Sequence, residues 1–113
     1  MNGVYLNETE ALKRLGGNKN LYLKLLKSFL GDASYRNLCQ QVAAGDRESA
    51  KMSAHTLKGL AGNLSLVALS EEAAAVEHRL KEGLLVGQED LAALEAALNG
   101  TVEAIEKLIA AGV

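Results

Sequence analysis

This sequence predicts an all-α fold: an antiparallel up-and-down four-helix bundle with a short extra N-terminal helix. Three observations carry that expectation. The 113 residues include no proline and are rich in Leu, Ala, Glu and Lys, which lose little on entering a helix. Apolar residues recur three and four positions apart over several long stretches, the period of a helix with one buried face. Short segments built on Gly, Asn or Asp separate those stretches, and short connections make antiparallel neighbours. A chain of this length supports one core, so a single domain over residues 1–113 is expected.

Residues 1–6 read as a frayed lead-in. Asn7 suits an N-cap, and Glu10 follows at the spacing of a capping box; the short helix they start ends at Gly16-Gly17. Asn18 caps the second helix. Its apolar residues Leu21, Tyr22, Leu23, Leu25, Leu26, Phe29 and Leu30 cover an arc of about 200°, wider than one core face needs. Two readings are open: deep burial between neighbours, or an exposed part of the arc, including Leu26 and Phe29, that binds a partner. Beyond Gly31-Asp32 the stripe resumes as Tyr35, Leu38, Cys39 and Val42, rotated by about half a turn. Either the helix breaks or kinks at Gly31, or one long helix meets different neighbours along its length. Ala44-Gly45 ends it, and Asp46 caps a helix expected from Arg47 to Gly62 or Asn63. After a turn at Asn63-Leu64-Ser65, Leu69, Ala73, Val76 and Leu80 mark a helix that stops at Gly83. The last helix, from about Glu89 to Ala110, carries Leu91, Leu94, Leu98, Thr101, Ile105 and Leu108 in one phase across Asn99-Gly100. The unbroken phase predicts continuity there, with Gly100 as the place for a local kink.

The helix beginning at Arg47 carries the chemistry. Ala50, Ala54, Leu57, Ala61 and Leu64 fall on one side, and Lys51, His55, Lys58, Gly59 and Gly62 share the other. His55 therefore points to water beside two ammonium groups and two residues without side chains. A neutral imidazole, with an ordinary pKa of about 6.5, is a competent nucleophile near neutral pH. A phosphoryl group on that ring would be within reach of Lys58, one turn on, and Lys51, one turn back. Gly59 and Gly62 each cost roughly 1 kcal/mol against Ala in a helix interior. Two such residues on one face suit the close approach of a second protein that brings an acceptor to the histidine.

Ala54-His55-Thr56-Leu57-Lys58-Gly59 resembles the signature of the histidine-containing phosphotransfer (HPt) domain of bacterial two-component phosphorelays. The similarity continues through Leu60-Ala61-Gly62-Asn63-Leu64 and into Leu69, Ala73 and Val76-Glu77. The stretch from Glu10 to Tyr22 and the segment from Leu26 to Leu30 are also similar to the family. One departure is Ser65, where the family often has Gly; it bears on the turn after the histidine helix and not on the chemistry. The resemblance implies a phosphotransfer intermediary. His55 would accept a phosphoryl group on its outer ring nitrogen from a receiver-domain aspartyl phosphate and pass it to another receiver aspartate. Lys58 would help hold the phosphoryl oxygens, Gly59 would leave clearance for the receiver loops, and apolar surface near the histidine would dock the receiver. No cofactor is expected on this chain; Mg²⁺ is expected on the partner receiver. The partners implied are receiver domains, with a hybrid sensor histidine kinase as a further candidate. The chain would be a phosphoryl carrier without ATP-dependent kinase activity of its own. A variant within the family makes it a sink for receiver phosphate instead of a relay.

Composition narrows the alternatives. A net charge of −2 gives no reason to expect nucleic acid or an anionic membrane as partner. No apolar run approaches the roughly 20 residues that span a bilayer, and no signal peptide is legible. Cys39 is the single cysteine, which excludes an internal disulfide and suits a reducing cytoplasm; it reads as a core residue. His78 lies opposite its helix's apolar stripe, among Glu71, Lys81 and Glu82, and reads as a surface residue. It could pair with His55, but no spacing assembles the three or four ligands of a metal site, so none is expected. A monomer is expected. Two other readings stay open: a helical adaptor that binds through the arc of residues 21–30 with His55 incidental, and dimerisation through the heptad-like last helix.

Overall fold

The computed structural model describes residues 5–111, which form six helices in the order α1 (Glu8–Arg14), α2 (Lys19–Leu30), α3 (Ser34–Ala43), α4 (Arg47–Asn63), α5 (Val67–Lys81) and α6 (Gln88–Ala110). Side-chain caps start three of them as the sequence indicates. Asn7 Oδ1 accepts from the Glu10 N–H, Asn18 Oδ1 from Leu21 and Asp46 Oδ1 from Ser49, at 3.0–3.2 Å. The capping box at α1 is only half formed. The Glu10 carboxylate turns instead to Arg14 and to Ser65 Oγ, and the Asn7 N–H donates to the Ser65 carbonyl.

The helix does break at Gly31. Asp32 Oδ2 accepts from the Ser34 N–H at 2.8 Å, so the next helix starts afresh with its face rotated. α2 and α3 then follow α4 in succession, antiparallel to it. The Tyr22 hydroxyl donates to the Leu64 carbonyl (2.7 Å), Phe29 and Leu60 line one cleft, and the Gln41 and Ser53 side chains are hydrogen-bonded at 2.7 Å. The pair α2–α3 fills the place of one bundle helix. With α4, α5 and α6 it makes the four-membered antiparallel arrangement, and α1 closes the end at which α4 finishes. The molecule is elongated along these axes, 42 × 22 × 21 Å.

The core is aliphatic and centres on α4, which packs most closely against α5 and α3. Ala50, Ala54, Leu57 and Ala61 are buried as the wheel predicts. Their small size lets the neighbouring helices come close to the helix that carries the histidine. On α6 the buried stripe is Leu94, Ala97, Thr101, Ala104 and Ile105, with Leu91, Leu98 and Leu108 half-buried beside it. α6 runs unbroken through Gly100. The glycine serves a different need: a Cβ there would overlap the ring of Tyr5. Tyr5 and the buried Leu6 thus pack on the bundle and are not a frayed lead-in; the remainder of that segment, residues 1–4, lies outside the described residues.

The turn after α4 explains the departure at Ser65. Leu66 N–H donates to the Ala61 carbonyl (2.8 Å) and Ser65 N–H to the Gly62 carbonyl (3.2 Å), the pattern of a Schellman cap. That cap needs a left-handed residue, and Ser65 supplies it at φ 56°. The strain of a side chain there is offset by the bond from Ser65 Oγ to Glu10 Oε1 at 2.8 Å.

Candidate functional site

His55 lies in the middle of α4, with its side chain 69% exposed, on the face opposite the buried alanines. Across from it on α5 stands Glu77, only 4% exposed. Glu77 Oε2 lies 2.8 Å from His55 Nδ1, and Glu77 Oε1 lies 2.8 Å from Lys58 Nζ. One buried carboxylate therefore grips both the imidazole and the ammonium one turn beyond it. Burial pushes the Glu77 carboxyl up, but the hydrogen bonds from Lys58 and His55 and their charges outweigh it, and the group is held below the ordinary glutamate range. Glu77 is ionised at neutral pH, so Nδ1 carries the proton and donates it. In a neutral ring Nε2 is then the unprotonated nitrogen, and the ring as a whole is open to solvent.

Gly59 is exposed, with open space where a Cβ would point. Gly62 is half-buried and a Cβ there would meet Ser70 Oγ at 3.7 Å, so it faces α5 more than the histidine. Lys51 is half-buried and reaches the exposed Glu48 at 3.4 Å. Lys58 is nearer the histidine's carboxylate partner than the expected phosphoryl role implies. Leu26 is fully buried, and Phe29 is 7% exposed. Leu26 is a core residue and not part of a docking patch, while at the edges of the α2 arc Leu21 and Leu30 are exposed and Leu23 and Leu25 are half-buried. Phe29 belongs to the same core, though its edge lines a shallow apolar cleft with Leu25, Leu60 and Leu64, one turn beyond Gly59. His78 is exposed and Cys39 half-buried.

Glu77 was not distinguished as a site residue by the sequence, and neither was Lys81. A recess of about 300 Å³ beside the histidine is lined by Lys51, Met52, His55, Thr56, Glu77 and Lys81. The legible signal for Glu77 is its register: it lies four residues after Ala73 and three before Leu80, on the buried stripe of α5. A carboxylate at a core position needs a partner, and the antiparallel neighbour α4 offers one.

Among the described residues no group of three potential ligands could hold a metal ion, and no helix is long and apolar enough to cross a membrane. A family model described as Hpt domain matches residues 24–111. Neither the curated proteins nor the solved structures gave a significant match.

Proposed function

We propose that this chain, which belongs to the Hpt domain family and so to the histidine phosphotransfer components of phosphorelays, takes a phosphoryl group onto His55 Nε2 from a receiver-domain aspartyl phosphate and hands it to the aspartate of another receiver. The observation that carries this reading is the clamp on the imidazole: Nδ1 bound to a buried carboxylate at 2.8 Å, with the rest of the ring open to solvent. Glu77 fixes the tautomer and the ring plane, so that Nε2 presents its lone pair outward.

The lone pair of Nε2 forms the new P–N bond as the bond from phosphorus to the donor carboxylate breaks. The donor leaves as a free aspartate. The ring takes on positive charge, and the Glu77 carboxylate stabilises it through the Nδ1–H it already accepts. In the second transfer an acceptor carboxylate attacks phosphorus, the P–N bond breaks, and the imidazole leaves with the electron pair. The Nδ1 proton stays in place through both steps. A Mg²⁺ held by the receiver would neutralise charge on the transferring group; this chain contributes the nucleophile and its orientation. Gly59 leaves room for the receiver's loops, and the apolar cleft edged by Phe29 and Leu60 offers the receiver further surface toward the C-terminal end of the histidine helix. The adaptor reading keeps only the edges of the α2 arc, since Tyr22, Leu26 and Phe29 are committed to the core.

The deciding experiment is treatment with a small phosphoramidate donor, followed by intact mass and an acid-lability test. Wild type gains one acid-labile, base-stable phosphoryl group and His55→Gln gains none. An adduct retained in His55→Gln would remove His55 as the site.

A further inference from the structure

Three lysines surround His55, and they are not equivalent. The Lys58 ammonium is held against Glu77 Oε1 at 2.8 Å. Lys51 makes a longer contact, 3.4 Å, with a Glu48 side chain that is 85% exposed. Lys81 is exposed and is found in no ion pair among the described residues. It lines the same recess as His55, one turn beyond Glu77 on α5.

Helix direction brings these groups together. Side chains lean toward the N-terminus of their own helix. α4 and α5 are antiparallel, so His55 leans toward the turn of Lys51, and Lys81 leans back toward Glu77 and His55. Lys58 sits on the other side of the Glu77–His55 contact. Detaching Lys58 to meet a phosphoryl group would leave a buried carboxylate with half its partners. Turning Lys81 toward the same group gives up only water.

We propose that Lys81, seconded by Lys51, holds the oxygens of a phosphoryl group on His55, and that Lys58 is a positioning residue acting through Glu77. This rests on the phosphohistidine reading above and assigns within it the groups that touch the phosphate.

The test uses the phosphoramidate-treated chain, with the phosphorus resonance followed by NMR as pH is varied. A neighbouring cation favours the dianion, so it lowers the pKa of the second ionisation of the phosphoryl group. Lys81→Ala is expected to raise the proton affinity of that group on the order of threefold, the size of an exposed ion pair. Lys81→Arg restores it, and Lys58→Ala changes it less than Lys81→Ala does. A wild-type titration in Lys81→Ala, a shift that Arg does not restore, or a larger shift in Lys58→Ala would each overturn the assignment. Absence of any acid-labile phosphoryl group on the wild-type chain is a different result, which removes the phosphohistidine reading itself.

Discussion

Glu77, His55 and Lys58 are tied into one unit by two contacts of 2.8 Å, and what one residue does depends on the other two. Glu77→Ala is expected to slow phosphorylation of His55 by a small-molecule donor on the order of tenfold, since the ring loses both its fixed tautomer and the acceptor for its developing charge. Glu77→Gln keeps the shape but has one carbonyl oxygen, which cannot accept from the imidazole and the ammonium on opposite sides. It should be slowed as well, and ring nitrogen shifts measured by NMR would show a mixture of tautomers. The pair also sets an acid limit. The folded carboxyl lies below the ordinary range, so its contribution to stability is complete above about 4.3 and is lost as pH falls through the lower folded value. Denaturant midpoints of wild type and Glu77→Gln should therefore converge in acid and separate toward neutrality. His55 and its face were legible in the sequence because exposure on a helix follows from a fixed period. The role of Glu77 was not, because pairing two positions 22 apart requires knowing that α4 and α5 are neighbours in that register.

At the scale of a helix, two glycines of the same type answer to opposite constraints. Gly59 has open space around it, so Gly59→Ala should stabilise α4 by roughly 0.5–1 kcal/mol through propensity alone. If the clearance there is used by the receiver, the same variant transfers phosphate more slowly although it melts higher; equal transfer rates would mean the space is unused. Gly100→Ala gains the same propensity but drives a methyl group into the Tyr5 ring, so it should melt lower than wild type. Thermal melts of the two variants side by side check both signs. From the sequence, Gly100 was a candidate kink because a glycine in a helix has several uses, and the contact that selects one of them comes from residues almost a hundred positions away. The 200° apolar arc of α2 was equally readable as core or docking surface. Only the placement of α2 along α4 decides that Leu26 is covered while the edge of Phe29 reaches a cleft.

For the molecule as a whole, the periodicity of the apolar residues was enough to give the bundle, its helix order and most boundaries within a residue or two. The way its ends are closed was not legible. Arg14 Nη1 donates to the carbonyls of Gly62 and Asn63 at 2.9 and 2.8 Å, capping the last turn of the histidine helix from α1. The Gly62 carbonyl also accepts from the Ser65 N–H, and a cation at a helix C-terminus suits the helix dipole. Arg14→Ala is expected to cost about 1–2 kcal/mol in global stability by chemical denaturation, while phosphorylation of His55 by a small donor is little changed. A large loss of phosphorylation in a folded Arg14→Ala domain would show that the end of α4 and its middle are coupled.

The clamp on Nδ1 also bears on the regiochemistry of the proposed modification. An imidazole free in water can be phosphorylated at either nitrogen, and the two isomers differ in lifetime and in the reagents that recognise them. With one nitrogen occupied by Glu77, a reagent that has no selectivity of its own meets a single open nitrogen. The fold would thus determine which isomer accumulates, and a donor as crude as phosphoramidate would give the same product as a protein partner.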